Sequence, residues 1–205
     1  TDAVLRELHD RLLAPLEAHL VAAPGVRPLV IVPDGPLHGV PFAALLDGTT
    51  PMRDRYALSL APSVEAAHSA VAPLDGTTVV AGAGDELAAL VDDEVRSVAA
   101  HRRDALVLVG EEASWARVRA AIAGAGHLHL AGHAVFRPDN PMYSAIRLAD
   151  GWVTAAELLE LDLTGRTVVL SACGTARTTV ASAEVVGFTR ALLGAGARTT
   201  VTSLW

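Results

Sequence analysis

Lysine is absent from this 205-residue chain, and all 16 of its cationic side chains are arginine. That excludes a Schiff-base lysine, and it excludes the phosphate-binding loop whose chemistry requires a lysine against the phosphates. Cysteine occurs once, at Cys173, so no internal disulfide can form and a reducing, cytoplasmic setting is expected. No apolar stretch reaches the ~18 residues of a membrane span, and the charged, amphipathic amino terminus is unlike a secretory signal. Long basic runs are missing too, and a net charge of −7 argues against nucleic acid as the main ligand. Neither an internal repeat nor a low-complexity tract nor a linker divides the chain, so one domain over 1–205 is expected. Its 51% apolar content suffices for a full hydrophobic core.

What is present alternates between short apolar runs and helical patterns, the signature of βαβ units and of an α/β fold with a parallel sheet. Residues Ala3 to Ala22 read as a helix bent at Pro15, with Val4, Leu5, Leu8, Leu12 and Leu16 on one stripe. Leu29–Val32 reads as a strand closed by the turn Pro33-Asp34-Gly35, and Tyr56–Leu60 as another, with Ser63 capping the helix behind it. Thr78–Ala81 leads into a Gly82–Gly84 turn and a helix to about Ala100, followed by a strand at Leu106–Val109 and a helix capped by Ser114. A strand containing His127 and His129 comes next, then a proline-rich loop from Arg137, a strand near Ala145–Leu148 and a helix from Thr154. The strand before Cys173, a threonine-rich loop, a helix over Ala183–Leu193 and a strand over Thr199–Leu204 complete the pattern.

Two strands end in chemistry. Thr167-Val-Val-Leu-Ser171 runs into Ala172-Cys173-Gly174-Thr175, and His127-Leu-His-Leu-Ala131 runs into Gly132-His133-Ala134. Open α/β sheets build their sites at the carboxyl ends of their strands. A lone cysteine with a histidine elsewhere in the chain is a candidate nucleophile and base. The thiolate is the nucleophile, and a thiol at its ordinary pKa of about 8.5 needs a nearby imidazole to supply it at neutral pH. Backbone N–H groups at the strand ends can receive the developing oxyanion. Against this stands the plain reading of Cys173 as a small core hydrophobe.

The same residues, taken with their surroundings, resemble the CHAT domain, a caspase-like module often attached to tetratricopeptide repeats. The resemblance is carried by Leu29–Leu37 with Val40-Pro-Phe-Ala-Ala-Leu45, by Tyr56–Ser63, by Leu128-His-Leu-Ala-Gly-His133, by Leu170-Ser-Ala-Cys-Gly-Thr-Ala176, and by Glu184–Ala197 with Val201-Thr-Ser-Leu-Trp205. It implies a caspase-like open, mostly parallel sheet flanked by helices in a three-layer sandwich. It also implies a cysteine endopeptidase in which Cys173 attacks a peptide carbonyl and His133 acts as base and then acid. Backbone N–H groups near Ala134 and Cys173 hold the oxyanion in that scheme, and neither a metal nor an organic cofactor is needed. The partner it implies is a protein or peptide substrate, with regulation by a helical-repeat region of the same parent protein. Two features depart from the family pattern: Ala134 stands where glycine usually follows the histidine, and the chain stops at Trp205 where the family continues. Together with the missing initiator methionine, this reads as a piece of a longer protein.

Other candidates are weaker. Glu184, opening a helix soon after Cys173, either caps that helix or orders the loop from Gly174 and Thr175 that shapes the substrate cleft. Asp34 either lines the cleft or solvates its turn. Gly82-Ala83-Gly84 begins like a dinucleotide fingerprint but lacks the third small residue, which leaves a nucleotide-binding α/β protein as the weakest alternative. His127, His129 and His133 lack the further ligand that tetrahedral zinc requires, and His129 reads as a core-facing or supporting residue. Asp92, Asp93 and Glu94 read as a solvated helix face, and Phe136 and Trp152 as packing residues. A catalytically degenerate domain kept as a protein-binding module is the remaining alternative, favoured by Ala134.

Overall fold

The computed structural model describes residues 1–20, 25–68, 71–137, 139–172 and 181–202, excepting the side chains of 181–186. The chain forms two compact units, Thr1–Ser69 and Ala70–Trp205.

The first unit opens with helix α1 (Asp2–Leu12), which gives way to a 3₁₀ turn over Ala14–His19 with Pro15 in its first positions. The expected single helix to Ala22 is therefore broken, because Pro15 lacks an N–H and its ring clashes with the preceding turn. Leu5, Leu8 and Leu12 do form an apolar stripe, packed with Leu13, Phe42, Leu45, Met52 and Tyr56. Val4 and Leu16 remain exposed. Strand β1 (Arg27–Ile31) pairs in parallel with β4 (Tyr56–Leu60), and between them lie the small hairpin β2 (Leu46–Asp47) and β3 (Thr50–Pro51) and the short helix α2 (Met52–Arg55). Ser63 caps α3 (Val64–His68) as expected, its Oγ accepting from the Ala66 N–H at 3.1 Å.

The second unit is built on a five-stranded sheet, β12-β11-β7-β5-β6, in which every pairing is parallel. Its strands are β5 (Thr77–Ala83), β6 (Ala105–Val109), β7 (Ala125–Gly132), β11 (Thr167–Ser171) and β12 (Thr199–Thr202). Helix α4 (Val91–Ala100) covers one face, where Val91 and Val95 meet Val80 and Ala131. Helices α5 (Trp115–Ile122), α6 (Ala155–Leu159) and α7 (Ala181–Gly194) cover the other. There Val118, Ile122, Leu158, Phe188 and Leu192 pack on Val79, Leu128, Leu130, Val168 and Leu170. Helix, sheet and helix make three layers, as the caspase-like expectation required. Burial on both faces explains why β5 reads as a continuous apolar run, not an alternating one.

Gly82 is needed inside β5 because a Cβ there would lie 2.5 Å from the Ala131 carbonyl oxygen and 2.8 Å from Val91. This corrects the dinucleotide alternative. The strand continues through Ala83, α4 begins only at Val91, and the Gly84 N–H donates to Asp92 Oδ1 at 2.9 Å. A phosphate at this turn would meet the carboxylate of Asp92, which already accepts the Gly84 N–H.

Beyond β7 the chain makes a second, antiparallel sheet, β10-β9-β8, from β8 (Ala134–Val135), β9 (Ala145–Leu148) and β10 (Gly151–Thr154). The strand expected at Ala145–Leu148 is β9; β8 and β10 are short additions to it. Thr154 then closes a full capping box with Glu157 at the start of α6.

Candidate active site

The order of the parallel strands reverses between β5 and β7, since β6 lies to one side of β5 and β7, β11 and β12 to the other. Such a reversal opens a crevice at the carboxyl ends of the flanking strands, where ligands of open α/β sheets bind. His133 follows β7 at that edge. Neighbouring β11 runs in register with β7 up to the pair Ser171 and Ala131. In sequence, His133 follows Ala131 by the same two steps as Cys173 follows Ser171. Cys173, Gly174 and Thr175 lie outside the described residues, as does the side chain of Glu184, whose backbone is in the first turn of α7.

His133 is buried, with 7% of its surface exposed. Its backbone is held by β9, the Arg147 N–H donating to the His133 carbonyl at 2.7 Å. Its ring meets Trp152 of β10 edge to face, with centroids 5.7 Å apart and planes at 65°. Among the described residues neither imidazole nitrogen has a hydrogen-bond partner. Gly132, immediately before, permits this arrangement: a Cβ there would come within 2.7 Å of the Arg147 carbonyl oxygen.

Ala134 sits in β8 opposite Ile146. Because Arg147 donates to the His133 carbonyl, Ala134 and Ile146 form a non-hydrogen-bonded pair of the antiparallel ladder. The Ala134 N–H therefore points away from β9 and takes no part in that ladder. No non-glycine residue among those described has a positive φ, so alanine is unstrained here, and its methyl is buried in the core. Replacing the family's usual glycine costs this position no backbone conformation it uses.

Asp34 is an exposed residue of the first unit, ahead of a 3₁₀ turn where its carbonyl accepts the Leu37 N–H at 3.1 Å. His127 and His129 line a cavity beneath α4 together with His101 and Arg102, and do not converge with His133. His129 Nε2 lies 2.9 Å from Glu94 Oε1. Glu94 is thus a side-chain partner of a buried histidine, a correction to the solvated-face reading. The spacing carried the signal: Val91, Glu94, Val95 and Val98 share one side of a helix.

Phe136 packs against Phe188 as expected, whereas Trp152 keeps 43% of its surface exposed beside the histidine. The one His/Asp/Glu group among the described residues close enough to hold a cation is His9, Glu17 and Asp47 in the first unit. The Arg55 guanidinium already fills it, 2.7 Å from Glu17 and 2.5 Å from Asp47. Those carboxylates hold the Arg55 pKa above its ordinary value, against the lowering effect of burial.

The CHAT-domain family model matches residues 2–205, both units included. The chain belongs to the CHAT domain family. Among curated proteins it is similar to tetratricopeptide repeat protein 28 of Mus musculus, 29% identical over 267 aligned residues, and to the same-named protein of Homo sapiens, 27% identical over 267. Both alignments cover 98% of this chain and 11% of the relative, so the chain spans about a tenth of the length of the proteins it matches. No helix among the described residues is long and apolar enough to cross a membrane.

Proposed function

We propose that this CHAT domain, comprising both units, is a cysteine endopeptidase with Cys173 as nucleophile and His133 as its base or ion-pair partner. The observation that carries the reading is the parallel register of β11 and β7, which run level to the residues just before Cys173 and His133, at the crevice edge of the sheet. The thiolate attacks the peptide carbonyl carbon, and the carbonyl π electrons move onto oxygen. That oxyanion is received by backbone N–H groups, for which the unused donor of Ala134 and that of Cys173 are the candidates. Collapse of the tetrahedral intermediate breaks the C–N bond, and the imidazolium gives its proton to the leaving amine. Water, deprotonated by His133, then hydrolyses the acyl-enzyme. The loop from Gly174 and Thr175, with Glu184 in the first turn of the following helix, would shape the cleft for an extended protein segment.

A free catalytic thiol suits a reducing compartment such as the cytoplasm. The similar proteins are named for tetratricopeptide repeats, which supports control by a helical-repeat region of the same parent protein. A second reading, a CHAT domain that binds protein without cleaving it, is favoured by relatives named for their repeats alone. Incubation with a diverse peptide library, followed by mass spectrometry of new termini, separates the two. Cleavage lost in both Cys173→Ala and His133→Ala supports the peptidase; binding without new termini supports the module.

A further inference from the structure

A catalytic imidazole has to be held in one orientation, and in most dyads a third polar group hydrogen-bonded to the ring does this. Here the described residues supply no such group to His133. What meets the ring is the indole of Trp152, edge to face at 5.7 Å. The indole is itself fixed. Trp152 pairs with Arg147 across the β9–β10 hairpin, and the Arg147 guanidinium lies 5.8 Å from its ring centroid. The same Arg147 binds the His133 carbonyl through its backbone N–H, so one residue of β9 sets both the histidine backbone and its aromatic neighbour. Trp152 nevertheless leaves 43% of its surface exposed.

We infer that Trp152 is a positioning residue for His133, fixing the imidazole toward Cys173 through the edge-to-face contact in place of a polar orienting group. The inference rests on the dyad reading above. An aromatic contact of this kind restricts ring rotation without accepting a proton.

The test is the pH dependence of Cys173 alkylation by iodoacetamide in the wild type, Trp152→Ala, Trp152→Phe, His133→Ala and the Trp152→Ala/His133→Ala double variant, with circular dichroism confirming the fold of each. Trp152→Ala is expected to slow labelling below neutral pH by about two- to tenfold, the range an aromatic pair supports, and to raise the pH midpoint. Trp152→Phe, which keeps an aromatic ring, should restore most of the rate. The double variant should match His133→Ala alone, because the tryptophan acts through the histidine. Wild-type labelling in Trp152→Ala, with slow labelling in His133→Ala, would overturn the positioning role while leaving the dyad intact. Unchanged labelling in His133→Ala would remove the dyad and the positioning role together. Equal loss in Trp152→Phe and Trp152→Ala, or additive loss in the double variant, would also overturn it.

Discussion

Strand β7 carries one buried histidine in its middle and leads to another just past its end, and their surroundings differ in kind. His129 lies under α4, its Nε2 closed off by Glu94 at 2.9 Å. His133 lies at the crevice edge against a half-exposed tryptophan, and no described polar group engages its ring. A buried histidine paired with a carboxylate joins sheet to helix, and its imidazole is already committed. An imidazole held only by an aromatic contact keeps both nitrogens available for proton transfer. In the proposed dyad, the middle of the strand serves the fold and its end the chemistry.

Substituting the two histidines should give opposite signatures. His133→Ala is expected to cut peptide cleavage by about 10²- to 10⁴-fold, the usual contribution of a positioned acid–base group, with little change in thermal midpoint. His129→Ala should do the reverse. Losing a buried hydrogen-bonded partner costs about 2 kcal/mol, which in a domain of this size lowers the thermal midpoint by about 4–8 °C, and Cys173 reactivity should survive. Scanning calorimetry and thiol labelling of the same samples read both quantities. If both variants lose stability alike, the division between the two positions fails.

Gly132→Ala crosses the boundary between them. Its Cβ would press on the Arg147 carbonyl at 2.7 Å, backbone against backbone, so relief requires β9 to move away from β7. Overpacking of this kind costs about 1–3 kcal/mol, and the shift carries the Arg147 N–H and Trp152 with it. Stability and labelling should fall together in this variant, unlike either histidine substitution. Glu94→Gln sharpens the structural side. It keeps an acceptor for His129 and removes only the charge of a partly exposed carboxylate, so a loss of about 1 kcal/mol or less is expected by chemical denaturation. Thr154→Ala removes the capping box at the end of β10 and should cost a similar ~1 kcal/mol. Labelling should be unaffected, because Trp152 lies two residues earlier and is held by its pairing with Arg147.

The legible parts of this molecule were those governed by local rules. Short runs of strand length marked β5, β6, β7 and β11, and Ser63, Ser114 and Thr154 marked helix starts by their side-chain oxygens. His133 was legible because it follows such a run. Pairings between distant segments were not. The partnership of Glu94 with His129 depends on how α4 crosses the sheet, and the contact of Trp152 with His133 depends on a hairpin folding back over the end of β7. Even α1 was misjudged at its far end, because an apolar stripe continues through Pro15 in sequence although the backbone cannot. Cys173 itself was singled out by its neighbours in sequence, and its role stands on chemistry still to be measured.

The most direct measurement is the rate of Cys173 alkylation against pH in the wild type, His133→Ala and His129→Ala. Fast labelling well below the ordinary thiol midpoint of about 8.5, lost in His133→Ala and retained in His129→Ala, is the expected result. Slow labelling with that ordinary midpoint, indifferent to His133, would contradict an activated dyad and leave a CHAT domain that binds without cutting.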